Sequence, residues 1–358
     1  MGRPNFRFAA LVVAVLVVAT LWIAWSYRLP VRDPDGVAGP TYLQVPAIIV
    51  LAFLADVVPR TVARSWRTPR GLFETARVVA HERWPSTYLR FALAGMAVSY
   101  LCNSAFRNLK SYIPFVNRDL WDRPLDRVDR ALWLGHDPAA VLHDLLGTGW
   151  AAHVLSVVYV AWLALIPITL AIALIWTRRI AATAWYVTAL ALNWAIGMLT
   201  YFLVPSLGPI YATPERFDDL PATYVGSLQT SMLEGRAEML ADPWAVGAVQ
   251  PIAAFASLHV AIVVTMVLMA HLLGLATWIR VSGWVFLALT TLATVYLGWH
   301  YSVDALGGIV IGVAAVWIAA WGTGNHLGGR PHLIEQPVAV PSLLEDPQPV
   351  SVRRSSPA

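Results

Sequence analysis

The chain is poor in charge, in cysteine and in lysine. Charged residues make up 13% of its 358 residues, about half the roughly 25% usual in soluble domains. That scarcity excludes a soluble globular enzyme, a disordered chain and a nucleic-acid binder. Cys102 stands alone, which excludes a disulfide framework and a zinc or iron–sulfur site built on cysteine. Lys110 is the one lysine among 25 basic residues, the rest being arginine. Composition alone therefore favours arginine at position 110, and the exception marks it. What the chain does have is apolar residues, 58% of the total, and 17 tryptophans, the kind of side chain that gathers at membrane–water interfaces.

A helical crossing of a bilayer needs roughly 20 apolar residues. The first candidate, Phe8 to Tyr27, carries no charge and has no small-residue cleavage pattern behind it, so it reads as an anchor. Further candidates fall at about 41–58, 88–106, 149–177, 180–205, 253–274, 276–298 and 303–323. The sequence thus predicts an all-α integral membrane protein of about eight transmembrane helices. No internal repeat is visible. The tail from about 325, rich in Gly, Pro and Ser, reads as disordered and cytoplasmic.

Basic residues favour the cytoplasmic side. With the N-terminus inside, the 59–87 connection is inside and carries arginines at 60, 64, 67, 70, 77 and 83. The Arg178–Arg179 turn and Arg280 are inside as well. The long 206–252 loop is outside, with Arg216 and Arg236 against six acids. Residues 107–148 break the pattern, being outside yet holding six basic residues; phosphate binding is one account of them. Within that stretch Asp119 to Leu134 alternates acids and arginines around Leu120, Trp121, Leu125, Val128, Leu132 and Trp133, and reads as a helix lying on the membrane surface.

Of nine histidines, two stand at ends of apolar segments among other polar groups. His259 lies in Ala256-Ser257-Leu258-His259. His300 lies in Tyr296-Leu297-Gly298-Trp299-His300-Tyr301-Ser302-Val303-Asp304. His300 and Asp304, four apart, share a helix face, and a carboxylate on one ring nitrogen leaves the other as a lone-pair nucleophile. Segment counting puts Lys110, His259 and His300 at the same face of the membrane. A cation, two histidines and a carboxylate suit phosphoryl transfer.

These residues resemble the type 2 phosphatidic acid phosphatase superfamily, whose histidine motifs read P-S-G-H and S-R-x5-H-x3-D. Ser257-Leu258-His259, the His300-Tyr-Ser-Val-Asp304 run and Val204-Pro205-Ser206-Leu207-Gly208-Pro209-Ile210-Tyr211 are closer to its inositol phosphorylceramide synthase branch. The resemblance covers about 88–323 and implies a six-helix catalytic core, preceded by two N-terminal helices and a basic cytoplasmic loop in 1–87 and followed by the tail 324–358. It also implies roles. His300 attacks phosphorus, Asp304 orients it, and His259 exchanges protons with the leaving and incoming alcohols. Ser257 and Lys110 hold phosphate oxygens, with Gly208 and Tyr211 in the neighbouring substrate stretch. The chain departs from the pattern where Asp119 follows Arg118 in place of proline, where Ala256 replaces proline, and where Thr294 occupies the place of an arginine. Arg107 or Arg118 is then the substitute cation.

The implied activity is a metal-independent lipid phosphotransferase, without cofactor, acting on the extracytoplasmic face of the cell membrane. It moves a polar head-group phosphate, with inositol phosphate one possibility, from a phospholipid donor to a lipid or polyol acceptor. The alternative is a phosphatase of phosphatidate-like or polyprenyl (pyro)phosphates. Two other classes stay open: a transporter, which predicts charges at mid-membrane, and a haem protein with His259 and His300 as axial ligands, which a visible spectrum decides. Gly308-x3-Gly312 reads either as a dimerisation face or as close packing inside one bundle.

Overall fold

The computed structural model describes residues 5–33, 41–66, 71–245 and 252–334. Its thirteen helices among these residues are α1 (Arg7–Tyr27), α2 (Thr41–Ser65), α3 (Leu72–Arg83), α4 (Ser86–Val116), α5 (Asp122–Leu132), α6 (Pro138–Leu146), α7 (Trp150–Ala171), α8 (Ile180–Leu203), α9 (Pro209–Ala212), α10 (Tyr224–Ala241), α11 (Leu258–Leu272), α12 (Thr277–Tyr296) and α13 (Ser302–Thr323). A π-helical turn, Ile172–Trp176, continues α7. The chain is an all-α membrane protein.

Each of the eight expected spans falls on a helix: α1, α2, α4, α7, α8, α11, α12 and α13. Five are long and apolar enough to cross a bilayer: α1, α7 with its π turn, α8, α12 and α13. α11 is apolar but only 15 residues long. It begins at Leu258, five residues later than the hydrophobic run suggests, because residues 252–257 are non-helical and bond elsewhere. The Ala254 amide donates to the Ser206 carbonyl, and the Phe255 amide to Ser206 Oγ. The tail also departs from expectation. Residues 325–334 are ordered, with His326–Leu327 paired antiparallel to Arg330–Pro331 and Asn325 bonded to the Ala181 carbonyl and the Ile334 amide. Residues 335–358 lie outside the described set.

The core is built around α8 and α11. α8 buries apolar residues on every side, Trp185 among them, whose indole donates to the Val316 carbonyl at 2.9 Å. α13 packs against both α8 and α11. Small residues set these spacings. A Cβ on Gly308 would meet the Ser257 carbonyl oxygen at 2.4 Å, and one on Gly312 the Ala261 carbonyl at 2.5 Å. The two glycines therefore serve packing of α13 on α11 inside the bundle.

One end of the bundle gathers five helix ends. Asn117, after α4, donates to the Phe202 carbonyl near the end of α8. The Ala256 amide, before α11, reaches Thr200 Oγ1 on α8. The Ser257 amide donates to the Asp304 carbonyl in the first turn of α13. The His300 amide donates to the Thr294 carbonyl near the end of α12.

Candidate active site

At this end the two histidine motifs meet. His300 sits in the turn between α12 and α13, with its side chain 3% exposed. Its Nδ1 lies 3.2 Å from Asp304 Oδ2, one turn into α13. The same oxygen accepts from the Tyr301 amide at 3.1 Å. Asp304 is fully buried and its Oδ1 has no hydrogen-bond partner. An ionised carboxylate only accepts, so the pairing puts a proton on His300 Nδ1 and a lone pair on Nε2. Nε2 faces His259 Nδ1 at 3.0 Å, and that proton must then come from His259. The result is a relay, Asp304–His300–His259, open to solvent mainly through the half-buried His259.

His259 lies in the first turn of α11, which Ser257 caps by accepting from the Val260 amide at 3.4 Å. Serine is a favoured cap, and its hydroxyl proton stays available to a ligand. Two aromatic rings of α7 hold the imidazole, Trp162 at 4.2 Å and Tyr159 at 4.9 Å between centroids. Trp162 also donates to the His259 carbonyl. Tyr159 in turn stacks on Trp299 at 5.1 Å.

The amphipathic helix α5 also holds the neighbouring backbone in place. Its Asp122 and Asp129 are buried. Asp129 accepts from the Ser302 amide at 2.9 Å, the Val303 amide at 2.8 Å and Ser302 Oγ at 2.5 Å. It thereby caps α13 from another helix, occupying orphan donors of the first turn. Burial raises the Asp129 carboxyl above its usual range, against the pull of these donors. Asp122 accepts from the Leu207 and Gly208 amides at 3.0 and 2.9 Å and from the Tyr301 hydroxyl at 3.2 Å. Burial, reinforced by Asp122, keeps that phenol protonated. Asp126, on the outer side of α5, pairs with Arg216 at 2.7 Å and Arg130 at 3.1 Å. Burial raises its carboxyl, but the two guanidiniums outweigh this and hold it below the usual range. Part of the positive charge of residues 107–148 and 206–252 is therefore spent on this clasp.

The other expected residues divide. Lys110, half-buried on α4, stands over the Tyr201 ring at 5.4 Å and close enough to His259 for a charge interaction. Arg107, three residues earlier on the same helix, lies within electrostatic range of Lys110. Arg118 is exposed and lines a cavity of about 400 Å³ between the end of α4, α10 and residues 205–207. That cavity includes Arg236 but neither histidine. Gly208 has φ +101°, and a Cβ there would meet the Trp299 carbonyl at 2.4 Å, so it lets the 204–212 stretch lie on the backbone beside His300. The Tyr211 hydroxyl is bonded to the Gln229 carbonyl at 3.1 Å, which makes it a support of the Trp299 cluster. Thr294 is buried and its hydroxyl bonds back to Thr291, leaving no room for the arginine of the resembling pattern.

Sequence reasoning missed Asp122, Asp129, Tyr159 and Trp162. Only the two acids left a trace, lying seven apart and therefore on one face of α5.

No curated protein and no solved structure matches the chain. Residues 123–318 match a protein family described as the PAP2 superfamily, whose members are generally phosphatases or phosphoryl-transfer enzymes. The match begins in the clasp helix, takes in both histidines and ends in α13, spanning more than half of the chain: the protein belongs to the PAP2 superfamily.

Proposed function

We propose that this protein is a phosphotransferase that moves the head-group phosphate of a membrane phospholipid to a second lipid or polyol through a phosphohistidine. The observation that carries this reading is the Asp304–His300–His259 relay, with contacts of 3.2 and 3.0 Å. His300 Nε2 attacks phosphorus and the bond to the leaving oxygen breaks. His259, as the imidazolium, gives one proton to that oxygen and becomes neutral. The acceptor hydroxyl then loses its proton to His259 and attacks the phosphohistidine, freeing His300. Lys110 and the Ser257 hydroxyl compensate charge on the equatorial oxygens, the contribution expected of preorganised donors.

The relay is closed as it stands. A near-attack nucleophile sits about 3 Å from phosphorus, and the proton donor lies about one hydrogen bond beyond the leaving oxygen. The two nitrogens must then stand roughly twice as far apart as their present 3.0 Å. Substrate therefore parts the rings, and the more exposed His259 is the one that yields.

A head-group transferase of the inositol phosphorylceramide synthase kind fits the Tyr296-Leu297 and His300-Tyr301 runs and the buried Thr294. Water in place of the acceptor gives a lipid phosphatase with the same residues; exclusion of water by the cavity decides between them. The arginines of 59–87 and 178–179 favour an extracytoplasmic site, hence a lipid donor rather than a cytoplasmic nucleotide. The test is a lipid-by-lipid assay of the purified protein that follows head-group transfer and free phosphate together. Transfer without phosphate release is the expected result. Release alone makes it a phosphatase. Equal turnover in His300→Ala sinks both.

A further inference from the structure

The opposite end of the bundle holds a second set of charges. There α2, the α3–α4 junction and the turn after α7 converge on Asp56, which is fully buried. Its carboxylate accepts from Arg60 Nη1 at 2.6 Å, from Arg83 Nη2 at 2.7 Å and Nε at 3.0 Å, and from the Trp84 indole at 3.1 Å. Arg178 Nη2 is 3.7 Å away, within ion-pair range but beyond a hydrogen bond. The Arg178 guanidinium instead lies over the Tyr88 ring at 3.9 Å and near the Trp84 ring at 5.2 Å.

Three guanidiniums thus share one carboxylate, an excess of two positive charges over the acids paired with them among the described residues. The neighbouring Arg64–Glu82 pair, at 2.6 Å, balances itself. Moreover, Nε and Nη2 of Arg178 are buried without a hydrogen-bond partner. A buried charged donor left unmatched is costly, and stacking on Tyr88 occupies the face of the guanidinium, not its N–H edge. The edge and the surplus charge ask for the same thing, an anion with several acceptor oxygens. Guanidinium forks suit phosphate. Leu54 and Val58, two residues either side of Asp56 and therefore on the opposite face of α2, are exposed and apolar, the kind of surface that faces lipid tails. An anion bound beside α2 lies next to that surface.

We propose that Arg60, Arg83 and Arg178 around Asp56 bind the phosphate of an anionic membrane lipid at the end of the bundle away from the histidines. Basic pockets between transmembrane helices on the cytoplasmic side hold such head groups. The 24 residues of α8 run from beside Arg178 toward the histidine end, roughly 36 Å at helical rise. This phosphate is therefore not the one undergoing transfer, and the proposal does not depend on what the histidines do.

The test reads thermal stability of the full chain, purified in detergent and stripped of lipid. It is titrated with dioleoyl phosphatidylglycerol, with dioleoyl phosphatidylcholine and with sodium phosphate. Phosphatidylglycerol should raise Tm of the wild type, and phosphatidylcholine should not. In Arg178→Gln and in Arg60→Gln the half-saturating phosphatidylglycerol concentration should rise about tenfold, the order of one charge-assisted hydrogen bond. Arg60 is 41% exposed, so its variant keeps the test readable if Arg178→Gln fails to fold. Identical titrations in wild type and variants overturn the proposal, as does an equal response to phosphatidylcholine. A response to sodium phosphate matching that to phosphatidylglycerol assigns the cluster to a free anion and overturns the lipid assignment.

Discussion

Gly308→Ala is a single methyl group placed where the structure gives it no room. The added Cβ would meet the Ser257 carbonyl oxygen at 2.4 Å and Val260 Cβ at 3.0 Å. Ordinary contact begins near 3.4 Å, so α11 and α13 must part by about 1 Å at this crossing. The obstacle is backbone, so no side-chain rotation relieves it. Overpacking of this kind costs about 1–3 kcal/mol in stability, which a folded membrane bundle can survive. Catalysis is less forgiving. The Ser257 amide is bonded to the Asp304 carbonyl, and His259 stands on α11 while His300 sits in the turn that leads into α13. A displacement of about 1 Å in reacting groups can cost about 100-fold. The expected outcome is a loss of about 100-fold in kcat with KM little changed and Tm lowered by a few degrees. Phosphate release or transfer from a short-chain phosphatidate measures the first two, and a melting curve in detergent the third. Gly226→Ala is the control, because its Cβ would find nothing nearer than Thr223 Oγ1 at 3.7 Å. Wild-type kcat in well-folded Gly308→Ala would show that this crossing does not set the histidine geometry.

Lys110→Ala should fold normally and lose about 100-fold in kcat, the loss typical of deleting one charge-stabilising donor, with Lys110→Arg recovering part of it; unchanged turnover in Lys110→Ala removes it from the site. Asp304→Asn should lower kcat by several orders of magnitude through the wrong His300 tautomer, while His300 itself stays in place by crystallography or cryo-microscopy. EDTA should leave activity intact, since charge compensation falls to Lys110 and hydroxyls and no cluster of three or more His, Cys, Asp or Glu suited to a metal ion occurs among the described residues; loss reversed by one metal refutes this. Cysteine at exposed Asp219 should label from outside intact cells and at exposed Glu74 only after permeabilisation, with buried Cys102 silent; the reverse pattern puts the histidines in the cytoplasm.

The helices and the His300–Asp304 pair were legible in the sequence because both are local. Runs of apolar residues fix spans, and the four-residue step from His300 to Asp304 fixes a shared face. The meeting of His259 with His300 could be inferred only from segment counting, since nothing in either motif encodes the other. What stayed hidden depends on long-range contact. Asp122 and Asp129 look like ordinary acids on an amphipathic helix, and their burial follows from amides of the 207–208 and 302–303 backbone, which have no sequence signature. Tyr159 and Trp162 were indistinguishable from the other aromatics of an apolar span. Asp56 is an acid within the apolar 41–58 run, and the arginines paired with it come from 60, 83 and 178.

The reach of α5 has a bearing on how the protein is assembled. Asp129 waits for Ser302, 173 residues further along the chain, and Asp122 for Tyr301, 179 residues on. During synthesis both carboxylates exist long before their donors, and the 204–212 stretch has only half of its anchorage until the turn before α13 arrives. The candidate catalytic end is therefore completed only once α13, the last of the described helices, has left the ribosome. A chain released before Ser302 would hold both histidines and an inserted bundle, yet nothing to fix the turn on which His300 sits. Conversely, a separate piece that carries α12 and α13 has a dedicated receptor in α5, so a chain divided within the 274–276 turn should regain its active form when both pieces are made together.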